Sequence, residues 1–109
     1  MTPKFSGMLG LAMRAGKLSV GESKAADAVR GGKAVLLLLA TDTARNTEKR
    51  FLNMTQFYQV PCIRPGDRME LGAAIGKKAA VVLAVTDGGF AEQLIKLDGA
   101  DSQELRQRL

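Results

Sequence analysis

Ala34-Val35-Leu36-Leu37-Leu38-Leu39-Ala40 is an apolar run without alternation, bounded by Gly31-Gly32-Lys33 before it and Thr41-Asp42-Thr43 after it. A strand with one wet face alternates apolar and polar residues, and a core helix runs longer than seven residues. The run therefore reads as a central strand covered on both faces, with a buried helix as the weaker reading. Ala79 to Val85 is a second run of the same kind. Two such strands need helices above and below them, which predicts an α/β fold: a three-layer α/β/α sandwich around a small, mixed four-stranded sheet.

The segments around these runs supply the covering helices. Thr2-Pro3 opens a helix, because Thr caps orphan amides and Pro at the first helical position loses no hydrogen bond. Phe5, Met8, Leu9, Ala12 and Met13 follow at helical spacing up to Gly16. Lys17 to Val20 is a short extended piece. A second helix is predicted over Gly21 to Arg30, with Ala25, Ala28 and Val29 as its apolar stripe. A third spans Arg45 to about Gln59, with Phe51, Leu52, Thr55 and Tyr58 inward. Val60 to Ile63 is a short strand whose Pro61 suits a strand start or an edge. Asp67-Arg68-Met69-Glu70 has the capping-box form and starts a short helix to about Ile75. Phe90, Leu94, Ile95 and Leu97 mark a closing helix. Residues 1–100 are read as one domain and 101–109 as a short C-terminal tail, in which Leu105 and Leu109 are spaced for a helical turn.

Composition excludes much chemistry. The 109 residues contain no His and one Cys, so intrachain disulfides, His/Cys zinc sites, Cys–His pairs and Ser–His–Asp triads are impossible. Cys62 reads as a small core residue. Gly16-Lys17 is followed by Leu18, which breaks the phosphate-loop pattern, and no G-x-G-x-x-G follows a strand. Glu22, Asp42, Asp67, Glu70 and Asp87 all fall near predicted helix starts, where they cap amides. No enzyme, cofactor or metal site is expected. No apolar run is long enough to cross a bilayer and the N-terminus lacks a secretory apolar core, so the expectation is a reduced, cytoplasmic protein with no membrane partner.

The net charge of +5 is unevenly placed: +7 over residues 1–81 and −2 over 82–109. Basic residues gather where loops meet helices, at Arg14 to Lys24, Asp42 to Lys49 and Ile63 to Arg68. In a layered α/β fold strand-to-helix turns can share one sheet end, and helix N-termini there offer free amides and a positive dipole to phosphate. Lys77 and Lys78 precede a strand, and they join that end only if the strand is antiparallel. With Phe5, Phe51, Phe57, Tyr58 and Phe90 as the only aromatics, most on predicted apolar faces, a base-stacking platform is disfavoured and structured RNA fits better.

Lys17-Leu18-Ser19-Val20-Gly21, Val29-Arg30-Gly31-Gly32-Lys33-Ala34, Leu36 to Asp42 and Asn46-Thr47-Glu48-Lys49 together resemble the kink-turn-binding ribosomal proteins, the L-seven-Ae and L-thirty-e superfamily, and in particular its small bacterial YlxQ-type members. Val60-Pro61, Leu71-Gly72 and Ala79 to Val85 extend the resemblance over nearly the whole chain. It implies a non-enzymatic, ribosome-associated protein that binds RNA containing a kink-turn or similar internal loop. The start of the second helix would enter the RNA groove, and a later loop would cover an extruded base. Carried over by position, the RNA-binding residues are Gly16, Lys17, Gly21, Glu22, Ser23, Lys24, Arg45, Asn46, Lys49, Arg64 and, in the turn Ile75 to Ala79, Lys77 and Lys78; Arg14, from the first basic junction, is expected beside them. The implied partners are structured, ribosomal RNA and neighbouring ribosomal proteins, with the chain a monomer.

Two departures bear on that expectation. Many archaeal members carry Asn where Gly21 stands, and their apolar covering loop is Lys77-Lys78 here, which favours phosphate contact over base readout. Ser19-Val20-Gly21-Glu22 also fits a capping box, giving Glu22 a structural role that competes with reading a guanine edge. The rival reading from another class is a protein-interaction adaptor on the same fold, with an apolar patch around Met54, Phe57 and Leu105.

Overall fold

Nine elements alternate along the chain in a computed structural model that describes the backbone of residues 1–108 and the side chains of residues 1–99. They are α1 (Pro3–Arg14), β1 (Leu18–Val20), α2 (Glu22–Arg30), β2 (Leu36–Leu39), α3 (Arg45–Tyr58), β3 (Cys62–Ile63), α4 (Arg68–Ala74), β4 (Val82–Val85) and α5 (Gly88–Arg108). The strands form one sheet in the order β1-β4-β2-β3. β4 is antiparallel to both β1 and β2, whereas β3 runs parallel to β2. The expected three-layer sandwich is present.

Every residue of β2 and β4 is fully buried, because each strand feeds two cores. Leu36, Leu38, Leu83 and Val85 point to the layer of α1, α4 and α5, where they meet Phe5, Leu9, Leu71 and Leu94. Leu37, Leu39, Val82 and Ala84 point to the layer of α2 and α3, against Ala25, Val29 and Phe51. Burying each Leu is worth about 2 kcal/mol, so the four consecutive leucines of β2 clamp both layers to one strand.

The caps are partly as expected. Thr2 accepts the Phe5 amide at the start of α1, and Asp67 and Glu70 form the full capping box of α4. The Ser19-to-Glu22 box does not form: Ser19 sits in β1 opposite Ala84, and α2 begins only at Glu22 with no side-chain cap. In α3, Phe51 and Thr55 are buried, but Leu52 and Tyr58 are exposed, against expectation. Leu52 lies about 100° round the helix from Phe51, and Tyr58 falls in the last turn, before the two-residue β3 has begun. Ile95 is likewise exposed on α5. The packing of Leu105 and Leu109, and any patch that includes Leu105, lies outside the described side chains.

Of the glycines, Gly72 has the least room for a side chain. A Cβ there would stand 2.6 Å from the Ala79 Cα and 2.7 Å from its backbone nitrogen, with no flexible side chain to yield. This close approach lets the Lys77 amide reach the Gly72 carbonyl at 2.8 Å and turns the chain back into β4. Gly72→Ala is expected to destabilise the protein by roughly 2–3 kcal/mol, read as a lowered urea midpoint with an unchanged slope.

Candidate nucleic-acid interface

β1, β2 and β3 all run in the same direction, so the turns that follow them emerge at one end of the sheet. β4 runs the other way, so the loop before it, carrying Lys77 and Lys78, arrives at that same end. Backbone hydrogen bonds stitch these segments edge to edge: the Gly21 amide to the Val82 carbonyl, Ala40 to Val81, and Thr41 to Gly66. With neighbouring strands about 4.8 Å apart, the whole edge is roughly 15 Å wide.

At one corner of this edge stands Gly21, with φ 99° and ψ 163°. A residue with a Cβ avoids that region, so Gly here is a requirement of the turn. Its carbonyl takes the Ala25 amide, the first bond of α2. The amides of Glu22, Ser23 and Lys24 precede that first bond, and no side chain caps them. They form an open, electropositive helix start.

Glu22 does not fold back on those amides. Its Oε1 accepts the Thr47 hydroxyl at 3.2 Å and lies 3.9 Å from Nη1 of Arg50, both on α3. This contact draws the start of α3, with Arg45, Asn46 and Lys49 exposed, up to the start of α2. Thr47 and Arg50 are absent from the residues expected at the site. They are 25 and 28 positions from Glu22, and no local spacing signals the pairing.

The acidic residues at this end are consumed internally. Asp42, expected near the start of α3, instead caps α4: its Oδ1 accepts the Arg68 amide at 2.9 Å, its Oδ2 takes the Arg68 side chain at 3.2 Å, and its carbonyl accepts Arg68 Nη2 at 2.8 Å. Glu48 pairs with Arg64 at 2.7 Å. Arg64 also donates to the Ala40 carbonyl at 3.0 Å, so it lies at the expected edge but ties the β2–α3 turn to the end of β3. Lys24, Arg45, Lys49, Lys77 and Lys78, by contrast, are exposed and make no ion pair among the described residues. Asp42 and Glu48 are neutralised, and most of the base is left free.

Arg14, Gly16 and Lys17 are not brought to this edge. They form the helix-to-strand turn before β1, at the opposite end of the sheet, where the Lys17 carbonyl accepts the Thr86 amide. Arg14 lines an open groove between α1 and α5 with Met8, Leu11 and Leu97. A three-residue β1 separates Lys17 from Gly21, and that strand reverses their positions. Phe57, at the far end of α3, is 79% exposed and packs edge-on against Tyr58 with ring centroids 5.0 Å apart, whereas Met54 is half-buried against the core. Aromatic surface is therefore more available than the sequence suggests, but it lies away from the α2 start. Burial raises the Cys62 thiol pKa, countered in part by Arg64. Among the described residues no cluster of acidic or Cys side chains is arranged to hold a metal ion, and no helix is long and apolar enough to cross a membrane.

The family model of the Ribosomal protein L7Ae/L30e/S12e/Gadd45 family matches residues 4–95. The chain belongs to this family. It is 44% identical over 90 residues to the RNA-binding protein YlxQ of Bacillus subtilis, covering 83% of this chain and 90% of that one. It is 36% identical over 94 residues to RNA-binding protein YlxQ of Enterococcus faecium, covering 86% and 90%. Among solved structures, a Bacillus halodurans protein of unknown function superposes with a TM-score of 0.86 at 39% identity, covering 90% of this chain and 99% of that one. Within the L7Ae family the chain is thus a bacterial YlxQ-type member.

The ion pairs that brace this end of the family fold carry an acid dependence. The Asp67 amide and the Met1 amino group hold the Glu70 carboxylate below its ordinary value of 4.5, against a smaller opposing effect of burial. For Asp42, burial acts upward, but hydrogen bonds from the Arg68 amide, its own amide and the Arg68 guanidinium outweigh it and lower the pKa from 3.8. In both cases the unfolded chain takes up the proton first on acidification. The stabilisation is complete above about pH 4.5 and is lost as pH falls through the depressed values. The drop in melting temperature between pH 6 and pH 3.5 should be smaller in Glu70→Gln than in the parent protein.

Proposed function

We propose that this protein is a non-enzymatic, cytoplasmic RNA-binding protein that recognises structured RNA containing a kink-turn or similar internal loop and works in association with the ribosome. The observation that carries this reading is the uncapped, Gly21-opened start of α2 at the same sheet end as the exposed Lys24, Arg45, Lys49, Lys77 and Lys78, unpaired among the described residues, with Glu22 the one acid among them that keeps an oxygen free. Membership of the L7Ae family and the RNA-binding relatives support it. The binding unit is residues 1–100, acting as a monomer, with 101–109 an appended tail.

In this reading the amides of Glu22, Ser23 and Lys24 receive a phosphate or base edge where the RNA backbone bends, and the surrounding cations neutralise neighbouring phosphates. Asn46 supplies both a donor and an acceptor at the α3 start. Lys77 and Lys78 approach from the β4 side of the same edge. Arg64 acts through the turn it fastens and not through a phosphate. Arg14, Gly16 and Lys17 belong to this interface only if the RNA reaches round β1 to the far end of the sheet.

A second reading, a protein-interaction adaptor, is favoured by the exposed Phe57–Tyr58 pair. α3 is about 20 Å long, so that pair and the Asn46 end can be occupied at once.

A kink-turn oligonucleotide is expected to bind more tightly than a plain RNA duplex of equal length in an electrophoretic shift assay, and equal affinities would reduce the site to a basic surface. Lys24→Glu should weaken binding strongly and flatten the salt dependence by somewhat under one logarithmic unit for each phosphate no longer neutralised. Lys17→Glu, at the opposite end, should weaken it much less. Phe57→Ser should leave RNA affinity within about two-fold of the parent, a smaller change than removing an aromatic ring from beneath a stacked base produces.

A further inference from the structure

Glu22 is an acid among exposed bases, and its environment is asymmetric. Both partners, the Thr47 hydroxyl and the Arg50 guanidinium, take the same oxygen, Oε1. Oε2 accepts no hydrogen bond among the described residues, and the side chain is half exposed. Arg50 is itself held, with its guanidinium carbon 5.2 Å from the centroid of the fully buried Phe51 ring. The chain of contacts therefore runs from the core, through Phe51 and Arg50, to one oxygen of Glu22.

Such an exposed ion pair contributes little to stability. Its effect on geometry is larger. A free Glu side chain loses rotamer entropy when it is ordered on binding, and a side chain already ordered avoids most of that loss. A carboxylate can only accept hydrogen bonds and repels phosphate, so on RNA Oε2 can meet only a ribose 2′-hydroxyl or an N–H donor on a base edge, and a plain duplex offers the first as fully as a bent junction does. Base edges offer such donors where the helix is opened, as in an internal loop.

We propose that Thr47 and Arg50 are positioning residues: they hold Oε1 of Glu22 so that Oε2 stays available, in one orientation, for an N–H donor on an RNA base at an internal loop. The inference rests on the RNA-binding reading of this edge and adds to it the device that sets base selectivity. Arg50 also offsets the carboxylate charge, so that the acid does not repel the phosphates that Lys24 and Lys49 attract.

The test uses the full chain, a kink-turn RNA and a plain duplex of equal length, with thermal melts confirming that each variant is folded. Thr47→Val, which removes the hydroxyl and keeps the shape, should weaken kink-turn binding roughly five-fold while leaving duplex affinity and the salt slope unchanged. Thr47→Ser should restore binding. In a Glu22→Ala background Thr47→Val should cost nothing further, because the group it positions is gone. If Thr47→Val weakens both RNAs alike, or has its full effect on top of Glu22→Ala, Thr47 is merely structural and the positioning role is overturned. If Glu22→Ala leaves kink-turn binding unchanged, base contact by Glu22 is overturned and positioning falls with it. The parent protein's preference for kink-turn over duplex, measured in the same series, tests the broader reading separately.

Discussion

The antiparallel pairing of β4 between β1 and β2 is the interaction on which the other features depend. β4 is hydrogen-bonded on both edges and buried on both faces, so it joins the two cores and also fixes the direction of everything around it. The chain reverses at this strand, and a loop that would otherwise leave from the far end is delivered to the strand-to-helix end. The loop carrying Lys77 and Lys78 thus reaches the same sheet end as Gly21, whose amide is bonded to Val82 at the start of β4. The tight approach of Gly72 to Ala79 makes that reversal possible within so short a connection.

Around that edge, charge is sorted by job. Asp42, Glu48, Asp67 and Glu70 are each committed to an amide, a guanidinium or the N-terminal amino group: Asp42 and Glu48 fasten the turns after β2 and β3 to each other, and Asp67 and Glu70 cap α4 and tie it to the N-terminus. Arg64 and Arg68 are spent in the same fastening, although by residue type they look like phosphate contacts. The cations left over are lysines and Arg45 on helix starts and the β4 loop. Long-stemmed lysines around a rigid, amide-rich helix start can follow an irregular phosphate path, whereas the braced turns hold the helix starts in place.

Much of the fold was legible in the sequence because its decisive signals are local. Two unalternating apolar runs, Thr2-Pro3 and the Asp67-to-Glu70 box each act within a few residues, and all are found as expected. Less was legible at the candidate site, where the outcome turns on contacts between distant segments. Lys17 and Gly21 are neighbours in sequence but lie at opposite ends of a three-residue strand, which composition cannot reveal. Asp42 serves a helix that begins 26 positions later, and Glu22 turns to α3 and not to its own amides. Tyr58 departs from its expected place for a related reason: helical periodicity assumes a partner surface along the full length of α3, and the sheet is too short there to supply one.

Gly21 shows how these levels meet. A side chain at that position is strained by φ 99°, so the turn gives up the group with which a helix start most directly addresses a base. What the turn gains is an unobstructed approach to the amides of α2, which suits phosphate or backbone and distinguishes bases poorly. In the proposed reading selectivity comes from the next residue, a Glu at the first helical position. The α3 contacts hold its side chain without occupying both oxygens. On this view the glycine and the Thr47–Arg50 pair are coupled: the first opens the site, and the second restores direction to the one acidic group left at its mouth.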